Sequence, residues 1–374
     1  MTERRVHVID LDNVLHVGAK AGHSKDYNID GVPTGGIYYL LSTLRKSGWI
    51  DNPQGNPVVV VYDTHRNYRK EIATYYKAHR KNKSNVELIR DKGVWLQKDI
   101  AVNVLNKCGV LTLGMEGLEA DDLMFNLALN LACHPSQPLL NGIQLRLHTS
   151  DEDWVGAMGL APNIVIDPTV KASTLHQKRT YNDYQRNTGK SVEDCYMERA
   201  LYGDNSDGYK GFGDTFRDTL GRSTSEIYGL PEVQQYFYQK YWDRTFWIAL
   251  YNKYYASNPE LLKEMVNQTN LAFPVFLQEV FETDLLRYCE STPTFTPLAQ
   301  LLNVLRIRVL EKNLGPLHPF NENHKQQINS LKSKYSGEYG EVFELYSSNK
   351  VRYLPEVKIT IEEVNKSFQV TNSN

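Results

Sequence analysis

Three short β-branched runs in this sequence lead into acidic residues: "VHVIDL" into Asp10, "PVVVVYD" into Asp63, and "IQLRLHTSDED" into Asp151 and Asp153. Glu119, Asp121 and Asp122 crowd the start of "GLEADDLMFNLALNL", where Leu123, Leu127 and Leu131 recur four apart along one helical face. Asp204 and Asp207 stand in the glycine-rich "YGDNSDGYKGFG". Taken singly, an aspartate at a strand end is most often a cap or a turn residue, and an acid or two at a helix N-terminus simply favours the macrodipole. Three carboxylates in one turn repel one another, which a cation would relieve. Many oxygen donors and no histidine cluster suit hard cations such as Mg²⁺ or Mn²⁺. Two such ions about 4 Å apart would activate a water and stabilise the leaving oxygen of a phosphodiester.

A basic segment supplies what such a substrate needs. "HRNYRKEIATYYKAHRKNK", His65 to Lys83, carries seven Lys or Arg against the single acid Glu71. At helical spacing, Arg66, Arg69, Lys77 and Arg80 share one stripe, with Tyr68, Tyr75 and Tyr76 interleaved. A charge run is usually a solvated helix face; here the same-sign excess and the tyrosines favour a nucleic-acid backbone with base stacking.

The elements that position these residues alternate. Strand-like runs, including "NIVIDP", are separated by helical patterns such as "GGIYYLLSTLRKSG", which implies βαβ units around a mainly parallel sheet. Ligands of such sheets lie beyond the carboxyl ends of the strands, where Asp10, Asp63, Asp151 and Asp153 all fall. After about residue 180 the sequence turns helical and rich in Tyr and Trp, and "VQQYFYQKYWDRTFWIALYNKYY" reads as packing rather than a stacking platform. At 374 residues more than one domain is expected, and the net charge of −2 argues against indiscriminate polyanion binding. No apolar run is long enough to suggest a membrane segment or a secretory leader, and Cys108, Cys133, Cys195 and Cys289 form neither a zinc motif nor a disulfide framework. A reducing cytoplasm is the expected home.

From about Val6 to Gly213 the chain resembles the phage and bacterial 5′-nuclease family, which includes 5′-3′ exonucleases and flap endonucleases. "VIDLDN" looks like the family's first strand with its metal aspartate. "VVVVYDTHRNYRKEIATYYKAHR" is similar to its second strand and following basic signature, "LEADD" and "TSDEDW" to its next acidic motifs, and "ALYGDNSDGYKGFG" to the opening of its helix-three-turn-helix element. The resemblance implies an α/β, PIN-like domain over 1–180 with a mainly parallel central sheet and a helical arch near 65–100. A helical region over 181–290, with the helix-three-turn-helix element from near 203, and a segment 291–374 of no assigned role would follow.

The resemblance also implies roles. Asp10, Asp63, Glu119, Asp121 and Asp122 would hold or frame one Mg²⁺ or Mn²⁺ ion, and Asp151, Asp153, Asp204 and Asp207 a second. Lys77 and Arg80 would neutralise the scissile phosphate, with Tyr76 stacking near the end base. Arg66, Arg69, Lys81 and Lys83 would contact the nucleic acid, as would Gly208, Lys210, Gly211 and Gly213, whose backbone amides would meet duplex phosphates, with a monovalent cation at that turn. It implies DNA with 5′ ends, flaps or RNA primers as substrate, RNA as an alternative, replication proteins as further partners, and the cytoplasm of a phage-infected bacterial host.

Some features depart from the pattern. Gly208 stands where the family usually has Asn, "DTFRDTL" replaces the residues expected after Gly213, and the first motif carries an additional Asp12. "PLAQLLNVL" and "YGEVFELYSSNKVRYLPEVKI" are faintly similar to the end of an exoribonuclease catalytic region, which keeps an exoribonuclease-like enzyme as the alternative. "VIDLDNVLH" also looks like the haloacid-dehalogenase phosphatase motif, with Asp10 as nucleophile and Asp12 as general acid. That family has no use for "LEADD" or the basic segment. A non-catalytic nucleic-acid-binding protein would be expected to lose ligand carboxylates, and none is lost.

Overall fold

The computed structural model describes residues 4–20, 28–29, 32–46, 58–81, 83–107, 110–133, 143–170, 174–239 and 245–274. The expected segment 291–374 and residues 275–290 of the helical region lie outside them.

Five parallel strands form the central sheet: β1 (Arg4–Asp10), β4 (Val58–Val61), β5 (Leu111–Leu113), β6 (Ile143–His148) and β7 (Ile164–Asp167), in the spatial order β5-β4-β1-β6-β7. A two-stranded antiparallel ribbon, β2 (Asn28–Ile29) with β3 (Val32–Pro33), stands apart. The unbroken valines of β4 are buried on both faces, as a strand covered by helices on each side requires. Val59 and Val61 join one apolar cluster with Val6 and Val8 and with the buried Leu123, Leu127 and Leu131. Val58 and Val60 join another with Ile9. Helices α1 (Leu11–Lys20), α2 (Gly35–Lys46) and α4 (Asn85–Lys107) supply the second cluster, and α5 (Ala120–Cys133) packs into the first. The α/β architecture expected from the alternating pattern is present. The three-residue β5 is too short to carry a period and had no counterpart in the sequence reading.

The chain runs from β1 outward to β4 and β5, then returns to β6 on the other side of β1. The strand order reverses beside β1, and such a switch point opens a crevice at the carboxyl edge of a parallel sheet. Asp10 ends β1 on one side of that crevice, and Asp151 follows β6 on the other.

The basic segment departs from the sequence expectation. Arg66, Arg69, Lys77 and Arg80 do not lie along one helix: α3 spans only Tyr68–Ile72, Ala73 is extended, and a turn leads to a 3₁₀ helix over Ala78–Lys81 before α4 begins. Asn67 starts α3 by accepting a hydrogen bond from the Arg69 amide. Lys77 then adopts φ +54°, a left-handed backbone that a lysine seldom takes without compensation. Its amide donates to the Asp207 carbonyl at 2.7 Å, which fixes the turn against the helical region.

In that region α6 (Tyr181–Thr188) and α7 (Asp194–Tyr202) are followed by a glycine turn and α8 (Gly213–Leu220), the helix-turn-helix arrangement expected from "YGDNSDGYKGFG". Then come α9 (Thr224–Tyr228), α10 (Pro231–Gln239), α11 (Thr245–Tyr255) and α12 (Pro259–Ala272). Trp247, Tyr251 and Tyr255 of α11 are buried against Phe212 and Phe216, so this aromatic run is packing, as expected. No helix among the described residues is long and apolar enough to cross a membrane.

Gly211 has φ +70°, and a Cβ there would lie 2.5 Å from the Gly203 nitrogen and 2.7 Å from the Ala200 carbonyl oxygen. Gly189 has a similar φ of +72° with nothing within 4 Å. Gly189→Ala is therefore expected to lose about 1–2 kcal/mol from backbone strain alone. Gly211→Ala is expected to lose clearly more, because backbone must move as well. Denaturant unfolding of the two variants checks this, and equal losses would contradict the close packing of the turn.

Candidate active site

Three strand ends and one helix start converge on a cavity of about 630 Å³. Asp10 is 5% exposed; its Oδ1 accepts from the Asn13 amide and its Oδ2 from the Thr149 hydroxyl, both at 3.0 Å. Asp63, beyond β4, accepts from the Ala120 amide at 2.7 Å, which ties it to the first turn of α5. Asp151 caps a 3₁₀ helix over Glu152–Gly159, and its amide donates to Thr149. Asp121, in the first turn of α5, accepts from the buried Trp154 indole. One carboxylate oxygen from each of Asp121, Asp151 and Asp153 lies within 4.8 Å of the others.

These acids divide by partner. Among the described residues, Asp10, Asp63, Asp121 and Asp151 form no ion pair. Burial first, and then neighbouring carboxylates, push Asp10 and Asp121 well above the usual carboxylate range. Burial with Asp12 and Glu119 raises Asp63 to about 7, and burial with Asp153 raises Asp151 to about 7. Glu119 goes the other way: burial opposes its charge, but Lys77 and Arg69 outweigh burial and hold it at about 2. The four unpaired acids offer hard oxygen donors whose mutual repulsion a divalent cation would cancel, so their chemistry fits such an ion.

Several expected roles change in the structure. Arg69, expected at a phosphate, is 4% exposed; its guanidinium grips both oxygens of Asp122 at 2.7 Å and reaches Glu119 at 3.1 Å. Asp122, expected as a metal ligand, is fully buried as the partner of that fork. Tyr76, expected to stack on a base, is 3% exposed, with its hydroxyl 2.8 Å from both Glu119 Oε2 and Asp207 Oδ2. Asp153 pairs with Arg199. Asp204 closes its own turn by accepting from the Ser206 amide and hydroxyl at 2.7 and 2.6 Å, and does not line the cavity. The Gly208 amide donates to the Asp204 carbonyl and the Gly211 amide to Gln268 Oε1, so neither is directed at a phosphate.

The remaining expected residues have mixed surroundings. Lys77 faces the cavity with Nζ 2.7 Å from Glu119 Oε1 and 3.6 Å from Asp207 Oδ2. Arg80 is half-exposed on the same wall and bonds Asp207 at 2.9 Å. Arg66 is exposed but paired with Glu71, Lys83 is paired with Asp91, and Lys210 is exposed. Gly213 opens α8 and is buried, so it offers no surface. Lys81 falls in the 3₁₀ helix after Lys77; its side chain lies outside the description.

The sequence reading missed Lys98, a buried ammonium on α4 that bonds Asp12 and the Asp63 carbonyl, both at 2.8 Å. Asp12 also accepts from the Asp63 amide at 2.8 Å. The additional Asp12 therefore clamps the ends of β1 and β4 to α4, which conflicts with a general-acid role and with the phosphatase reading. Asn67, Trp154 and Arg199 were missed as well. The extra acid beside Asp10 was the available signal, but its cation lies 86 residues away.

Residues 5–185 match a family described as the 5′-3′ exonuclease N-terminal resolvase-like domain. The chain is similar to a 5′-3′ exonuclease of Bacillus subtilis (strain 168), with 27% identity over 219 residues, covering 56% of this chain and 68% of that protein. It is also similar to a 5′-3′ exonuclease of Buchnera aphidicola subsp. Schizaphis graminum, with 26% identity over 180 residues, covering 48% of this chain and 55% of that protein. Among solved structures it is similar to a T5 5′-exonuclease with divalent zinc ions bound, at 18% identity and a TM-score of 0.45, covering 82% of this chain and 99% of that one.

Two expectations follow from the charge division. Arg69→Met removes the guanidinium that balances the buried Asp122 and Glu119 charges and should lower stability by roughly 3–5 kcal/mol, whereas Asp121→Asn should leave it unchanged or raised without divalent ions. Equal losses by denaturant unfolding would contradict the division. Asp63 and Asp151 keep their protons to about pH 7 when folded but release them near 3.8 when unfolded. Between those values the folded chain binds more protons, so stability in EDTA should fall as pH rises from about 4 to about 7. Mg²⁺ or Mn²⁺ should raise Tm more at pH 8 than at pH 6. An unchanged slope in Asp151→Asn would count against the assignment.

Proposed function

We propose that this chain, whose residues 5–185 match the 5′-3′ exonuclease N-terminal resolvase-like domain, is a divalent-metal-dependent hydrolase of the 5′-nuclease kind that cuts phosphodiesters at or near 5′ ends of DNA. The observation that carries the reading is the set of four cation-free carboxylates, Asp10, Asp63, Asp121 and Asp151, opposite Lys77 and Arg80 in one cavity. We assign the four as the residues that hold Mg²⁺ or Mn²⁺, with Asp153 at the edge of the group. When bound, such ions activate water and stabilise charge on phosphoryl oxygens.

The protein's own groups supply the rest. Lys77 and Arg80 present positive charge toward the cavity and would neutralise a phosphate drawn to its mouth. Glu119 orients the Lys77 ammonium, Tyr76 links Glu119 to Asp207, and Asp207 holds Arg80. Arg69 acts through this network: it fixes Glu119, which lines the cavity, and the fully buried Asp122, and does not itself line the cavity. Asp12 and Lys98 keep Asp63 in register with Asp10. The Gly203–Gly213 turn with exposed Lys210 would meet the uncut duplex behind the cleavage point, with a role in replication or repair.

Cleavage of a 5′-labelled DNA flap, an RNA-primed nicked duplex and single-stranded RNA, each with Mg²⁺ and with EDTA, tests the proposal. DNA should be cut only with the metal, and Asp121→Asn should lose activity by several orders of magnitude while retaining binding. Neutralising Lys77 and Arg80 together should slow cleavage far more than it weakens binding. Preference for single-stranded RNA would replace the substrate assignment with the exoribonuclease alternative. Full activity of Asp121→Asn would overturn the metal assignment.

A further inference from the structure

Backbone amides hold three of the four cation-free carboxylates: Asp10 accepts from Asn13, Asp63 from Ala120 and Asp151 from Asp153. Asp121 is held differently. Its donor, the only one among the described residues, is a side chain, the Trp154 indole N–H, which meets Oδ1. Trp154 is fully buried in the apolar cluster that contains Leu123 and Leu127 of α5, so packing fixes the setting of its ring. It also stands one residue after Asp153 in the 3₁₀ helix that Asp151 caps. Asp121, Asp151 and Asp153 are the acids with oxygens within 4.8 Å of one another, and the indole ties the helix that carries the first to the segment that carries the other two.

An indole nitrogen donates and never accepts. The bond therefore commits Asp121 Oδ1 as an acceptor and leaves Oδ2, which has no donor among the described residues, as the oxygen open to an ion. Without the indole, repulsion from Asp151 and Asp153 would favour rotamers that turn the Asp121 carboxylate away. We propose that Trp154 is a positioning residue for the metal site, its N–H setting the Asp121 carboxylate so that the free oxygen stands with Asp151 and Asp153 to hold a divalent cation. The inference rests on the metal assignment above and deepens it, because Trp154 itself does not line the cavity. Loss of such a hydrogen bond to a ligating carboxylate typically weakens metal binding about 10- to 100-fold.

The test replaces Trp154 with benzothienylalanine, which keeps the bicyclic shape with sulfur in place of the N–H, and separately makes Trp154→Phe. Leu127→Ala, a deletion in the same cluster that involves no polar group, is the packing control. Mn²⁺ binding is read from the electron paramagnetic resonance of the free ion, and cleavage of the DNA flap is followed as Mn²⁺ is raised. Both Trp154 replacements should weaken Mn²⁺ binding about 10-fold or more and shift the metal dependence of cleavage by the same factor, with kcat at saturating Mn²⁺ near the wild-type value. Leu127→Ala should leave Mn²⁺ affinity unchanged. Wild-type affinity in the benzothienylalanine protein, or an equal loss in Leu127→Ala, would reduce Trp154 to core packing and overturn the proposal with the metal assignment intact. Failure of the wild-type chain to bind Mn²⁺ would overturn both. Weakened binding in the Trp154 variants with no substrate cut by any chain would keep the positioning role and remove the hydrolase assignment.

Discussion

Like charges gathered at one edge of a parallel sheet repel, and much of this molecule is arranged around that repulsion. Parallel pairing of β1, β4 and β6 brings Asp10, Asp63 and Asp151 to the same edge, and α5 adds Asp121 from its first turn. Burial removes the water that would otherwise screen them. The four therefore resist ionisation, and a proton or a hard cation is needed to keep them together. This instability makes them suited to binding, because an ion that relieves it gains affinity from the strain.

The neighbouring acids are each held by a cation. Arg69 holds Asp122 and Glu119, Lys77 and Arg80 hold Glu119 and Asp207, Arg199 holds Asp153, and Lys98 holds Asp12. These buried pairs contribute little net stability over apolar packing, but removing either partner leaves an uncompensated charge. Their value here is positional. They fix the loops that carry the four unpaired acids, and the unusual φ of Lys77 sits within this network, where Asp207 accepts its amide hydrogen bond.

Much of this was legible in the sequence, because its signals are local. β-branched runs ending in acids place Asp10, Asp63 and Asp151 correctly, since every residue of such a run follows one period and parallel topology fixes which end it faces. The leucine stripe places α5 and therefore Asp121. The glycines of "YGDNSDGYKGFG" announce the turn between α7 and α8. What was not legible depends on contacts distant in sequence. Helical spacing treats Arg69 and Arg80 alike, yet Arg69 turns inward because Asp122, 53 residues on, needs a partner. The break at Ala73 and Lys77 hides within a run that reads as helix, and Tyr76 is buried by Glu119 and Asp207. Composition alone cannot separate an acid awaiting a metal from one that already has an arginine.

The division of the carboxylates is tested most directly by anomalous diffraction from crystals soaked in Mn²⁺. The account expects density bounded by Asp10, Asp63, Asp121 and Asp151, with Asp122 still gripped by Arg69. Manganese between Glu119 and Asp122, with Arg69 displaced, or no ion at the sheet edge at all, would contradict it.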